Sequence, residues 1–244
     1  KQARVDGSIV SWWGMEHYSH QVLEALVARA SGTDYKITLY YETPMVKRRK
    51  GDASEADRIV DDMRTVLAAH GEKDVWLKVD GRPVVVIYVL DTYPLTVWQE
   101  VKDRLAAEGL EPFLMGDTFK TEALSVMDGL HTYNPVGRLV RGEDVAGLYR
   151  RVCEETHAQG KTFAATVLPG FDDRKIRTPG TLLVREDGGT YNQTWHAAVD
   201  SGADWVFITS YNEWHEGSEI EPSLEDGTRY LWLTQQWVRG WKGG

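Results

Sequence analysis

The sequence predicts an α/β fold, a (β/α)8 TIM barrel in one catalytic domain (residues 1–244), with one strand of the barrel lying outside the sequence. Three observations predict it. The chain has 244 residues, a length that suits one barrel. Seven apolar runs of strand length alternate with segments of helical period, the order that builds parallel sheets. Finally, no glycine-rich phosphate or dinucleotide loop follows a strand, which favours the barrel over a doubly wound open sheet.

The elements follow in order. Residues 7–13, GSIVSWW, read as a buried strand. Residues 19–30 have helical periodicity and stop at Ser31-Gly32. Residues 35–41, YKITLYY, form the next strand. Ser54 with Asp57 three residues on marks a capped helix start, and the helix runs to Gly71. RPVVVIYVL (82–90) is nearly all apolar, as parallel strands covered on both faces are. Thr96 with Gln99 predicts a capping box for a helix through Glu108. PFLMG and GLHTY are shorter strands. A helix covers 143–159, TFAATVLP (162–169) is a strand, and 192–201 are helical. DWVFITS (204–210) is the last strand, and 229–241 close the chain as a helix.

Composition narrows the function. The formal net charge of −9 argues against a nucleic-acid partner and an anionic membrane surface. There is no apolar run of 18 residues for a membrane span; no signal peptide is visible, and the abrupt start at KQARVDGSIV leaves room for one removed by processing or truncation. The single cysteine, Cys153, sits in a helical pattern and reads as packing. Ten tryptophans and eleven tyrosines lean toward carbohydrate, whose apolar faces stack on aromatic rings.

Polar clusters follow the strand ends: Trp12-Trp13, Glu42, Asp91, His131 with Tyr133 and Asn134, Asp172-Asp173, and Asn212 to Glu216. A barrel brings such ends to one face. The last cluster, YNEWHEG, holds Glu213 and Glu216 three residues apart. Neighbouring carboxylates repel, so one keeps a proton that the other loses. Glycosidic cleavage needs that division of labour. Trp214 and Trp12 can exclude water and stack on sugar, while Asn212 and His215 can orient the acids. The plainer reading is a pair of solvated loop acids. A metal site of Glu213, His215, Glu216 and Glu219 is the other sharp reading, weakened by the lack of an H-E-x-x-H pattern. No G-x-S-x-G elbow supports a serine nucleophile at Ser210.

The ordered segments SIVSWWG, ITLYYETP, GRPVVVIYVLDTY, LPGFDDRKIR and FITSYNEWHEGSEIEP together resemble glycoside hydrolase family 99, the endo-α-1,2-mannosidase and endomannanase family. The likeness covers roughly residues 5 to 240. The chain departs from the family pattern at Thr43, between Glu42 and Pro44, and at Gly180, where the family more often shows a Trp-Asn pair. The resemblance implies a (β/α)8 barrel whose first strand lies outside the sequence, a retaining mechanism through a 1,2-anhydro sugar, an oligosaccharide or polysaccharide substrate, and neither metal nor cofactor. It implies Glu213 as base on the sugar 2-hydroxyl and Glu216 as acid for the leaving oxygen. It also implies Glu42 and Tyr211 at the −1 sugar. Trp12, Trp13, Asp91, His131, Tyr133, Asp172, Asn212, Trp214 and His215 complete the expected substrate contacts. The family's glycan substrates suggest a periplasmic, extracellular or luminal setting. An enzyme of cell-surface polysaccharide processing or assembly, or an inactive carbohydrate-binding barrel, are the alternatives.

Overall fold

The computed structural model of the chain describes residues 3–243. They gather into two compact units, Asp6–Leu130 and His131–Gly244 with Lys1–Val5.

The first unit contains β1 (Gly7–Trp12), α1 (Tyr18–Ala30), β2 (Lys36–Glu42), α2 (Thr43–Arg48), α3 (Glu55–His70), β3 (Lys78–Val79), β4 (Arg82–Tyr88), α4 (Leu95–Ala107) and β5 (Phe113–Asp117). Strands pair in parallel in the order β1-β2-β4-β5. Strand β3 adds a short antiparallel edge to β4; two residues are too few to show a period in the sequence. Val84 to Ile87 are fully buried, which explains why β4 reads as an uninterrupted apolar run rather than an alternating one. Helix α3 starts as expected. The Ser54 hydroxyl accepts from Asp57 N–H at 3.1 Å, and the Asp57 carboxylate accepts from Ser54 N–H at 2.9 Å. Its buried face carries Ile59, Val60, Met63, Val66 and Leu67, the stripe that ties it to the unit's core.

The start of α4 corrects the sequence reading. The helix begins at Leu95 after Pro94, with no side-chain cap. Pro94 has no N–H to satisfy and a φ suited to a helix entrance, so Thr96 falls inside the first turn. Gln99 donates to Asp103 instead, at 2.7 Å.

Strand β6 (Gly129–His131) carries the boundary between the units. The second unit then contains α5 (Val136–Val140), α6 (Val145–His157), β7 (Thr162–Val167), β8 (Phe171–Asp172), β9 (Leu182–Leu183), α7 (Gly189–Asp200), β10 (Trp205–Ile208) and α8 (Arg229–Trp241). Strands β7 and β10 run parallel, and β8 and β9 form a two-stranded antiparallel ribbon. Helices α7 and α8 lock through Trp195 stacked on Trp237, 5.8 Å between ring centres and 3° from coplanar. The Tyr191–Thr234 hydroxyl bond of 2.8 Å adds to that contact. Cys153 is buried on α6. Burial pushes its thiol up to about 11, with the charges of Asp204 and Glu154 adding to the effect. A thiol so protonated is a packing group and a poor nucleophile.

Among the described residues, no helix is long and apolar enough to cross a membrane.

Candidate active site

The expected site residues fall into two groups, one in each unit. In the first unit, Glu42 ends β2 and is 5% exposed. Its Oε1 accepts a 2.6 Å bond from the Ser11 hydroxyl, and Ser11 in turn accepts from Trp13 Nε1 at 2.9 Å. Residues 11 and 13 lie two apart, so both side chains leave the same side of the chain. Arg48 lies over the Trp13 ring at 5.6 Å. Asp91 sits in the turn after β4 and is exposed, paired with Lys120 at 2.6 Å.

Trp12 requires a correction. It is fully buried, stacked on Tyr41 with ring centres 5.9 Å apart, and its Nε1 faces His20 Nδ1 at 3.4 Å. Strand alternation sends it into the core, so it offers no exposed face for stacking.

In the second unit the acids are built by one loop. Ser210, just past β10, exchanges backbone contacts with Ser218 and Ile220 at 2.8 and 2.9 Å. Its hydroxyl meets that of Ser218 at 3.0 Å and accepts from Glu213 N–H at 2.9 Å. The loop is therefore closed at its base. Between those points, Trp214–Glu216 form one 3₁₀ turn, in which residues three apart eclipse. That turn, with Glu213 at its entrance, brings the two glutamates to one side. Arg185 braces the exit. Its Nη2 donates to Gly217 O at 3.1 Å and Glu219 O at 3.0 Å, and pairs with Glu219 Oε1 at 2.6 Å. Glu219, one member of the metal reading, is thus committed to an arginine. Among the described residues, no group of three His, Cys, Asp or Glu is placed to hold a metal ion.

The two acids have unequal partners. Glu216 accepts from the Tyr133 hydroxyl at Oε2 and from Arg177 Nη2 at Oε1, both at 2.9 Å. The side chain of Glu213 makes no hydrogen bond among the described residues. Burial holds the Glu213 carboxyl above the usual glutamate range. The charge of Glu216 pushes it the same way, and His215 and Arg177 oppose. Tyr133 is itself located by the Thr209 hydroxyl, which donates to its carbonyl at 2.6 Å.

Arg177 was not singled out by the sequence reading, and Asp173 entered it only beside Asp172 in a strand-end polar cluster. In DDRKIR they stand four apart, and that spacing is the available signal. The backbone N–H groups of Ile176 and Arg177 both bond Asp173 O at 2.9 Å. This single turn lifts Arg177 over Asp173, where Nη1 meets Oδ2 at 2.6 Å. Asp172 pairs instead with Arg174, at 2.8 and 2.9 Å. The hydrogen bonds from Arg174 hold its carboxyl down at about 2. Gly180, a departure from the family pattern, has a local cause: a Cβ there would lie 2.5 Å from Arg174 Cα.

The remaining expected contacts divide. Tyr211 and Trp214 are exposed, with Trp214 Nε1 tied to Glu221 at 2.8 Å. Asn212 and His215 are exposed on the same loop. His131 is a correction: it is 1% exposed and sits edge-on to Phe207 at 5.3 Å, so it packs rather than lines a surface.

Gly217 ends the acid-bearing turn at φ +56°, and an added Cβ would lie 3.1 Å from Asp172 N. Gly227 has nearly the same φ, +55°, with open space around it. Gly217→Ala is expected to lose the roughly 1–2 kcal/mol of a left-handed non-glycine residue plus a steric cost. Gly227→Ala should lose the first part only, and urea unfolding of both variants separates the two. Equal losses would show that the Asp172 contact yields freely.

Residues 1–236 match the description Glycosyl hydrolase family 99. Mouse glycoprotein endo-alpha-1,2-mannosidase is 26% identical over 187 residues, covering 64% of this chain and 40% of that protein. A zebrafish glycoprotein endo-alpha-1,2-mannosidase-like protein is 24% identical over 188 residues, 65% of this chain and 42% of that one. The chain thus spans about two-fifths of the length of these relatives. A solved GH99 endo-alpha-mannosidase from Bacteroides thetaiotaomicron is similar with TM-score 0.82 and 25% identity, over 99% of this chain and 76% of that one. The same enzyme in complex with BIS-TRIS-propane gives TM-score 0.84 at 24% identity, a likeness of fold, over 99% and 81%. With the ordered motifs and the match running over nearly the whole sequence, the chain belongs to glycosyl hydrolase family 99.

Proposed function

We propose that the chain is the catalytic domain of a retaining glycoside hydrolase that cleaves α-mannosidic linkages within glycan chains, on a (β/α)8 barrel. One observation carries the reading. Two glutamates share a single braced turn, one held by two hydrogen-bond donors and the other half-buried without a polar partner. Two carboxyls in unequal environments are what glycosidic acid–base chemistry requires. The names of the mouse relative and of the Bacteroides structure support mannose as the sugar.

By motif, Glu213 takes the proton of the sugar 2-hydroxyl while Glu216 protonates the departing oxygen. The freed 2-oxygen attacks the anomeric carbon, closing a 1,2-anhydro ring as the glycosidic bond breaks. Glu216, now a carboxylate, then draws a proton from water as the water oxygen bonds to the anomeric carbon and the ring opens, and Glu213 returns its proton to the 2-oxygen. Two inversions retain configuration. An internal nucleophile has a high effective concentration, so no enzyme ester is needed. Tyr133 and Arg177 steady the acid. Tyr211, Trp214, Asn212, His215 and Asp172 remain the proposed substrate contacts on this unit. Glu42, Trp13 and Asp91 are the proposed sugar-hydroxyl and stacking groups of the other unit.

The test is incubation with yeast α-mannan and a panel of α-mannosides, with released sugars followed by NMR. An α-configured mannose-containing product is expected at the first turnovers. A β-configured first product would overturn retention. Absence of release from every member, with circular dichroism showing folded protein, would overturn the mannosidase reading for those linkages.

A further inference from the structure

Four consecutive cations, Lys47 to Lys50, follow closely on Glu42 in a chain with more acids than bases, 37 against 28. Exposed lysine and arginine are ordinary surface residues, and Lys50 is one of them. The other three are placed, because helix α2 is fixed at both ends. At its start the Thr43 hydroxyl donates to Tyr88 O at 2.7 Å and lies 2.9 Å from the Thr92 hydroxyl. Thr43, where the chain departs from the family pattern, is thus the residue that seats the helix. At the other end Arg49 pairs with Asp62 at 2.8 Å, and Asp62 also accepts from the Tyr41 hydroxyl at 2.7 Å. Arg58 of α3 donates to the carbonyls of Val46, Arg49 and Gly51 at 3.2, 2.9 and 2.6 Å. Gly14, at φ +112°, brings the turn after β1 against the helix: an added Cβ there would lie 3.1 Å from Arg49 Nη2.

This anchoring sets Arg48 over the Trp13 ring at 5.6 Å and Lys47 over the Tyr93 ring at 5.4 Å. Both cations are exposed. Among the described residues neither has a carboxylate partner, and the charge of Glu16 is felt at Arg49. A guanidinium held over an indole is steadied by the ring without spending its charge on a carboxylate. Its planar fork of N–H donors still matches an oxyanion. Trp13 in turn bonds Ser11, and Ser11 bonds Glu42. An unpaired cation therefore stands one ring and one hydroxyl away from the glutamate expected at the −1 sugar.

We propose that Arg48 is a specificity-determining residue that receives an anionic ester, a sulfate or a phosphate, carried by the sugar that stacks on Trp13. The proposal rests on the reading of Trp13 as a sugar contact. The chemistry points to the 6-position of that sugar. Stacking uses the flat apolar face of a hexose, and the exocyclic C6 arm is the substituent that reaches past the outline of the ring. A tetrahedral oxyanion at the end of that arm offers two oxygens to the guanidinium fork. The charge of Lys47, one residue before, adds to the positive field that attracts it.

The experiment is ¹⁹F NMR of the full chain labelled with 5-fluorotryptophan, with the Trp13 signal assigned by Trp13→Phe. The probes, titrated at constant ionic strength, are α-mannobiose, its 6-phosphate and its 6-sulfate on the non-reducing sugar, and the 6-phosphate of an α-linked glucose disaccharide. One or both mannobiose esters are expected to shift the Trp13 signal with an affinity about three- to tenfold above that of α-mannobiose, the worth of a charge-assisted contact that stays partly exposed. The arm that gains tells phosphate from sulfate. Arg48→Gln should abolish the gain and leave binding of the neutral disaccharide within about twofold. Arg48→Lys, which keeps the charge without the fork, should keep only part of it. Arg151→Gln removes the same charge from an exposed position on α6 and should keep all of it. The absence of a gain for either ester overturns the proposal, as does a gain that survives Arg48→Gln or one that falls equally in Arg151→Gln. Binding and cleavage of neutral mannosides with no gain for the esters would overturn this proposal alone. An Arg48-dependent preference for the glucose ester, with no mannoside cleaved, would overturn the mannose reading alone.

Discussion

Glu213→Gln and Glu216→Gln are each expected to lower turnover of a cleaved α-mannoside by about 10²–10⁴-fold, the usual worth of a positioned acid or base. The double variant should be little worse than the poorer single one, because the two groups act as a unit. Stability should move the other way for Glu213. Its carboxyl is raised in the folded chain, first by burial and then by Glu216. The folded state therefore binds more protons than the unfolded one between the ordinary glutamate range and the raised value. Stability falls as pH rises through that window, and the penalty is fully present above it. Removing the charge as glutamine removes the penalty, so Glu213→Gln should melt higher than wild type at neutral pH and match it at acidic pH. Glu216→Gln gains no such relief, since it gives up the ion pair with Arg177. Calorimetry at two pH values with initial rates on one mannoside checks both halves. A Glu213→Gln variant that keeps its activity would sink the catalytic assignment. One that is less stable at neutral pH would sink the account of its burial.

The second large effect concerns Trp12 and Trp13. Trp12→Ala is expected to cost about 3–5 kcal/mol, the range for emptying a buried aromatic site. The indole is fully enclosed and stacks on Tyr41, so its loss leaves a cavity between β1, α1 and β2. Trp13→Ala removes a half-buried ring and its bond to Ser11. Its cost in stability should be much smaller. Any loss in sugar affinity should belong to Trp13, because its removal also frees the hydroxyl that holds Glu42. Urea unfolding of the two variants gives the first comparison, and KM against kcat on a mannoside gives the second. Equal destabilisation by the two would contradict the burial described above.

Much of the architecture was written in periodicity. Strands β1, β2, β4, β5, β6, β7 and β10 overlap the runs predicted for them, β2 and β5 ending one residue beyond, because parallel strands covered on both faces must be apolar throughout, as Val84 to Ile87 are. The α3 cap was legible because Ser54 and Asp57 act on backbone within one turn. The α4 cap failed where two local signals competed, and the proline prevailed. Strands β3, β8 and β9 are two residues each, below any period that a sequence can display.

The sequence by itself determined the α/β class with its parallel strands, the family and the place of the two glutamates on one loop, since these rest on local pattern and contiguous motif. Tertiary structure alone decided which side of β1 is core, and so sent Trp12 inward, and it alone set His131 of β6 against Phe207. It alone brought Tyr133 and Arg177, 83 and 39 residues distant along the chain, onto one carboxylate. Hydrogen bonds and desolvation depend on separation in space, and a linear order of residues carries that separation only within a turn or two.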